Sequence, residues 1–211
     1  MHITAVIPAY NEAERITATL QAIQPYVNEM LVIDDASQDA TAQRAAAAGA
    51  HVVRQLHNQG YIAAIKRGFQ EAQGEIVVVI DADGEFPADQ IPALVQPILD
   101  GQAEMVQGHR DIVPRPSERF LTWMAGLRAP VGDSGTGLRA LRTDLARQLT
   151  LDGKCICGIF ALEVLAHGGR LKEIPIHLQH VQKPRRIAWY HLRQFFYVLP
   201  WLFKRYPKDH A

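Results

Sequence analysis

The chain has 211 residues, 48% of them hydrophobic and 21% charged, with 22 basic against 22 acidic side chains. That is enough for one sizeable globular domain, and the balanced charge gives no whole-chain steering toward nucleic acid. The two cysteines, Cys155 and Cys157, stand one residue apart. A bridge across that spacing is awkward and two ligands are too few for structural zinc, so two reduced, partly buried thiols in a reducing compartment are expected.

In chain order, Ile3 to Ile7 reads as a strand that stops at Pro8. Glu12 to Ile23 reads as a helix, with apolar residues at Ala13, Ile16, Leu20 and Ile23. Met30 to Ile33 is a second strand ending at Asp34-Asp35. Ser37 or Asp39 can cap the alanine-rich helix that follows, and Gly49 stops it. His51 to Arg54 is a third strand, Gly60 to Ala72 a helix, and Ile76 to Ile80 an unbroken apolar run of the kind buried on both faces of a parallel sheet. Ala88 to Leu99 is helical and Met105 to Gln107 extended. The second half is less regular: Ser117 to Leu127 is an amphipathic helix, Gly137 to Arg142 a strand and Gly158 to His167 a helix. Leu171 to Leu178 is a strand that Pro175 assigns to an edge. Trp189 to Arg205 is a basic, aromatic helix with a candidate break at Pro200.

Repeated strand–helix alternation predicts the α/β class, a mostly parallel central sheet with helices on both faces. No linker interrupts it, so residues 1–211 read as one domain. Within it are a nucleotide-binding half (1–108), an acceptor half (109–182) and a basic aromatic tail (183–211).

Asp81-Ala82-Asp83 carries the most chemical information. Two carboxylates at the C-terminal end of a buried strand point into the crevice where open α/β sheets bind ligands. Hard oxygen ligands suit Mg²⁺ or Mn²⁺, ions that commonly bridge carboxylates to substrate phosphates. Polar clusters recur after the other strands: Pro8-Ala9-Tyr10-Asn11-Glu12, Asp34-Asp35-Ala36-Ser37 and His57-Asn58-Gln59-Gly60. Each alone could be a turn or a cap. Together, in a parallel sheet, they converge on one edge. The absence of Gly-x-Gly-x-x-Gly and of a Walker loop argues against a dinucleotide enzyme or an ATPase.

These motifs resemble family 2 glycosyltransferases of the GT-A fold, a Rossmann-like α/β/α sandwich, and within them the dolichyl- and polyprenyl-phosphate sugar synthases. The resemblance runs from Ile3 to about Leu178. It implies a metal-dependent inverting transfer of a hexose from a UDP- or GDP-linked sugar. Pro8, Ala9, Tyr10, Glu12, Ile33, Asp35, Asn58, Gly60, Asp81, Ala82 and Asp83 would bind the nucleotide sugar. Asp81 and Asp83 would hold the metal, with Glu85 where the family often has Gln; Glu85 has the alternative of capping the helix near Ala88. Asp83 would also act catalytically through that metal.

On the acceptor side, Gly108-His109-Arg110 resembles a family Gly-Ser-Arg whose arginine would hold a lipid phosphate. Asp133-Ser134-Gly135-Thr136-Gly137-Leu138-Arg139 resembles a family acceptor segment, with Asp133 the candidate base and Ser134 and Arg139 candidate contacts. The alternative is a Gly-rich turn capped by Asp133. A phosphate acceptor is already anionic and needs no base, whereas a sugar hydroxyl needs one. Glu163 resembles a family glutamate, or is a solvated helix residue. Lys183-Pro184-Arg185-Arg186 stands where the family has a basic closing loop, with Arg185 a candidate acceptor contact and a solvated turn the alternative.

The tail, with Lys183, Arg185, Arg186, Arg193, Lys204 and Arg205 and no acid between them, suits an anionic lipid interface. It equally suits packing on the domain, on a second subunit in a homodimer or on a membrane partner protein. No apolar run approaches the roughly 20 residues of a spanning helix, and the chain opens directly into a strand, so no signal peptide is expected. A cytoplasmic protein, or one peripheral on the cytosolic face of the membrane, follows. The readings are transfer to a polyprenyl phosphate, transfer to a glycan or small-molecule hydroxyl, and a non-catalytic nucleotide-binding partner of a membrane protein.

Overall fold

The computed structural model describes residues 1–111, 113, 115–153, 155–178, 188–204 and 206, with the side chains of 188–190 left aside. Seven strands form one sheet: β1 (Ile3–Ala9), β2 (Glu29–Asp34), β3 (His51–Arg54), β4 (Ile76–Val79), β5 (Met105–Arg110), β6 (Arg139–Arg142) and β7 (Leu171–Ile176), in the order β3-β2-β1-β4-β6-β5-β7. β1 pairs in parallel with β2 and β4, β2 with β3, and β5 with β7. β6 runs antiparallel between β4 and β5. The expected mostly parallel sheet is therefore present, and strands from both halves share it. Pro175 lies on β7, at an edge, where a missing N–H costs no ladder bond.

The helices are α1 (Ile16–Ile23), α2 (Thr41–Ala47), α3 (Tyr61–Glu71), α4 (Ile91–Leu99), α5 (Pro116–Gly126), α6 (Thr143–Ala146), α7 (Ile159–Ala166) and α8 (Ala188–Phe203). Alternation along the strands divides the core in two. Val6, Leu31, Ile33, Val77 and Val79 join α3, α5, α7 and α8 on one face. Ala5, Ile7, Val32, Ile76 and Val78 join α1 and α4 on the other. Period-two side chains on a pleated sheet produce this sorting, and each face is covered because each is apolar.

Several boundaries move. β1 continues through Pro8 to Ala9, because its ladder with β4 ends at Val6 and Pro8 is left facing β2 alone. β5 reaches Arg110 rather than stopping at Gln107, since β7 pairs with it along its whole length. β6 starts at Arg139, so Gly137 stays in the preceding loop. α1 starts at Ile16 rather than Glu12, and Ser37 caps no helix: its Oγ accepts the N–H of Asn11 at 3.0 Å. Asp39 bonds the start of α2, accepting the Thr41 N–H at 2.9 Å. α8 runs on past Pro200 without ending there.

Candidate active site

The C-terminal ends of β1 and β2 are stitched together. Besides the Ser37–Asn11 bond, Asn11 Oδ1 accepts from Gln38 N at 2.9 Å, Thr41 Oγ1 from Glu12 N at 2.8 Å and Asp39 Oδ2 from Ala13 N at 3.1 Å. Asn11 takes a φ of 56°, a left-handed conformation that asparagine tolerates better than most residues. This clasp leaves Tyr10 44% exposed on the sheet edge. Asp35, nearly buried, accepts from Gln59 N at 2.7 Å, Gly60 N at 2.8 Å and Gln55 Nε2 at 2.9 Å. It thereby sets the turn that presents Asn58 and Gly60. Ile33 on β2 and Ala82 beyond the end of β4 both bury their side chains in the core, which leaves their backbone atoms for any ligand contact.

Asn58, Gly60, Asp81, Asp83, Glu85 and Arg110 line one cleft of about 580 Å³. The structure thus brings the nucleotide-side and acceptor-side motifs to a single opening. Asp81 Oδ1 accepts from the Tyr61 hydroxyl at 2.7 Å. Burial, then the Asp81 charge and bond, push the Tyr61 phenol well above its usual range, so Tyr61 remains a donor at neutral pH. Gly137 lies against the other side of Asp81: a β-carbon there would overlap Asp81 Oδ2 and the Phe86 ring. Asp83 Oδ1 accepts the Glu85 N–H at 3.1 Å, which shapes the tight turn at Gly84. Two oriented carboxylates facing open space fit a hard divalent ion that takes its remaining ligands from phosphate oxygens and water.

The acceptor motif folds inward. Asp133, 0% exposed, receives Arg110 Nε at 2.6 Å, Arg110 Nη2 at 2.7 Å and Arg110 N at 3.1 Å. Burial alone would raise the Asp133 carboxyl, but the Arg110 bonds and charge win and hold it below the ordinary aspartate range. Burial likewise opposes the Arg110 charge, and Asp133 with Glu118 more than offsets it, so the guanidinium stays charged. Asp133, the candidate base, is thus enclosed and paired with Arg110, an arrangement that suits a positioning role. Ser134 and Arg139, the candidate acceptor contacts, are enclosed as well. Ser134 is buried with its Oγ 2.7 Å from Thr122 Oγ1. Arg139 is 0% exposed, donates Nη2 to Ser134 O at 2.9 Å, and rests 4.9 Å from the Phe160 ring centre. Burial pulls its guanidinium below the usual arginine range, against the nearby Tyr61 and Asp133. Arg110 and Arg139 together balance the two buried carboxylates of Asp133 and Glu118.

Sequence reasoning missed several partners. Glu118 on α5 pairs with Arg110 and packs against Gly135, where a β-carbon would overlap it. Glu173 on β7 accepts from Asp133 N at 3.0 Å, Gly132 N at 2.8 Å and Gln107 Nε2 at 2.7 Å, so it fixes the loop that carries Asp133. Arg115 lines the cleft beside Arg110 and approaches Glu118 at 3.7 Å. Glu163 is no solvated helix residue: fully buried, it accepts from Thr150 N at 2.7 Å, Thr150 Oγ1 at 2.9 Å and Leu151 N at 2.8 Å. Lys183, Arg185 and Arg186 lie outside the described residues, so the basic-loop reading is left where the sequence put it.

One face of α8 buries His191, Gln194 and Val198 against the domain, which supports the packing alternative for that segment. Leu192, Phe196 and Phe203 of α8 are exposed, as are Phe120 and Trp123 of α5. Phe120 stacks on Trp123 and Phe195 at centroid distances of 5.7 and 6.3 Å. Among the described residues no helix is long and apolar enough to cross a membrane.

Comparison with known proteins agrees with this fold. The family model described as glycosyl transferase family 2 matches residues 4–162. An uncharacterized protein of Methanocaldococcus jannaschii is 31% identical over 196 residues, 82% of this chain and 80% of that protein. The undecaprenyl-phosphate mannosyltransferase of Micrococcus luteus is 32% identical over 175 residues, 72% of this chain and 71% of the relative. Among solved structures, glucosyl-3-phosphoglycerate synthase from Mycobacterium tuberculosis in complex with Mn²⁺ and UDP-glucose superposes with a TM-score of 0.76 at 26% identity, over 94% of this chain and 77% of that one. The sheet is that of the GT-A glycosyltransferases, and the chain belongs to glycosyl transferase family 2.

Proposed function

We propose that this glycosyltransferase moves a hexose from a UDP- or GDP-linked sugar to a polyprenyl phosphate, with inversion and with Mg²⁺ or Mn²⁺. The observation that carries the proposal is the shared cleft of Asp81, Asp83 and Arg110. The ion, when bound, would offset charge building on the departing diphosphate. Tyr61 and Gly137 orient Asp81 toward that position. Tyr10, Glu12, Asn58 and Gly60 take the nucleoside, with Asp35 setting the Asn58–Gly60 turn. Arg110, held by Asp133 and Glu118, and Arg115 supply cationic contacts for an acceptor phosphate.

Two features favour a phosphate on a lipid. Asp133 is enclosed, and an anionic phosphate nucleophile needs no base. The exposed Phe120, Trp123, Leu192 and Phe196 sit on the same helices, α5 and α8, that bring Glu118 and His191 to the cleft, so an apolar surface adjoins the acceptor end. The likeness to glucosyl-3-phosphoglycerate synthase keeps a second reading alive, a small soluble acceptor.

The test incubates the chain with radiolabelled UDP- or GDP-hexose, Mn²⁺ and undecaprenyl phosphate, and measures label in the organic phase. Label extracted into solvent and abolished by EDTA is expected. Label confined to water-soluble product moves the acceptor to the second reading. Activity indifferent to chelator, or nucleotide binding without transfer to any acceptor, overturns the proposal.

A further inference from the structure

Three side chains that no step above uses meet at the cleft wall. Cys155 and Cys157 flank one residue in the loop before α7, and His191 lies in the first turn of α8. One ligand atom from each lies within 4.8 Å of the other two, the only such trio of His, Cys, Asp or Glu found among the described residues. Cys157 Sγ and His191 Nε2 are 3.8 Å apart. Tetrahedral zinc with bonds of about 2.3 Å to sulfur and 2.0–2.1 Å to nitrogen requires ligand separations of roughly 3.5–3.8 Å. The trio therefore needs only a small contraction around an ion.

The surroundings suit a metal rather than chance proximity. The other ring nitrogen of His191, Nδ1, is 2.7 Å from Ser117 Oγ on α5. With Nδ1 donating to that hydroxyl, the Nε2 lone pair is directed at the sulfurs, the arrangement that fixes tautomer and ring orientation in metal-bound histidines. One helical turn further along α8, Gln194 Oε1 accepts the Cys155 N–H at 3.2 Å, which aligns the cysteine loop on the same helix face. Cys157 and His191 are buried, and Cys155 is half-buried.

We propose that Cys155 Sγ, Cys157 Sγ and His191 Nε2 form a binding site for a thiophilic cation, Zn²⁺ in first place, distinct from the oxygen site at Asp81 and Asp83. Soft thiolate ligands select Zn²⁺ over Mg²⁺ or Mn²⁺. All three residues line the cleft, so three protein ligands leave a fourth position facing it, open to water or an acceptor oxygen. Binding releases the two thiol protons to solvent and joins the loop before α7 to α8 and, through Ser117, to α5. The inference does not depend on the glycosyl-transfer reading, and its test measures metal alone.

Reduced, metal-free chain is titrated with Co²⁺. Expected is a thiolate-to-cobalt charge-transfer absorption that saturates at one ion per chain and is bleached by Zn²⁺; carboxylate oxygens at Asp81 and Asp83 give no such band. Cys155→Ser abolishes it, and Ser117→Ala weakens cobalt affinity about 10–100-fold. As a measurement independent of variant folding, Zn²⁺ should protect both thiols of the unaltered chain from iodoacetamide. Absence of the band, alkylation equal with and without Zn²⁺, or a band unchanged in His191→Asn overturns the site.

Discussion

The guanidinium of Arg110, at the cleft wall, grips the fully buried Asp133 with two bonds, Nε to Oδ2 at 2.6 Å and Nη2 to Oδ1 at 2.7 Å. Breaking a buried pair strands one charge, so Asp133→Asn should destabilise the fold by about 3–5 kcal/mol, or roughly 6–20 °C in Tm. Thermal melts at neutral pH measure it. A loss below 1 kcal/mol would show that the pair is not closed as described.

The same carboxyl gives a pH dependence. Its native pKa is depressed, so its stabilising contribution is present above about pH 4 and is lost as pH falls through the native value. Chemical unfolding at a series of acidic pH values should show the stability of the unaltered chain falling in that window. In Asp133→Asn the dependence should be shallower.

Gly137 has no room for a side chain beside Asp81. Gly137→Ala should push the Asp81 carboxylate or the Phe86 ring aside and lower the apparent Mn²⁺ affinity of the transfer reaction at least tenfold. Activity measured against Mn²⁺ concentration checks this, and an unchanged half-saturating concentration contradicts it.

Tyr61→Phe removes the hydroxyl that donates to Asp81 Oδ1 while keeping the ring. A hydrogen bond to a charged group is worth about 1.5–3 kcal/mol. The expected result is a smaller Mn²⁺- and nucleotide-induced rise in Tm, with the fold retained by circular dichroism. Equal ligand-induced shifts in both proteins would remove Tyr61 from the orienting role.

Asn11 combines a backbone cost, its left-handed φ, with a stabilising bond accepted from Gln38 N. Asn11→Ala should cost about 1–3 kcal/mol and Asn11→Gly less, because glycine removes the backbone penalty and loses only the bond. Denaturant unfolding of the pair tests the ordering.

The strand-end motifs were readable because a parallel sheet converts sequence position into spatial position. Asp34-Asp35, Asn58-Gly60 and Asp81-Asp83 each follow a strand that points the same way, so each arrives at the same edge. Boundaries were less readable where a neighbour decides them: β5 extends to Arg110 because β7 pairs there, and Ser37 serves Asn11 instead of its own helix. The enclosure of Asp133, Ser134 and Arg139 was not readable from their motif. A motif reports residue type, and their enclosure depends on Glu118, Thr122 and Phe160, which lie at other places in the chain.

The sequence by itself determined the α/β class, the family and the paired aspartates at the sheet rim. Those follow from apolar periodicity and from short motifs whose parts are neighbours along the chain. Only the tertiary structure decided that Arg110 meets Asp133 and Glu118, that Tyr61 and Gly137 orient Asp81, and that His191 completes a trio with Cys155 and Cys157. These contacts join residues 8 to 56 positions apart; no local period encodes such pairs, and only the packing of α3, α5 and α8 on the sheet brings them together.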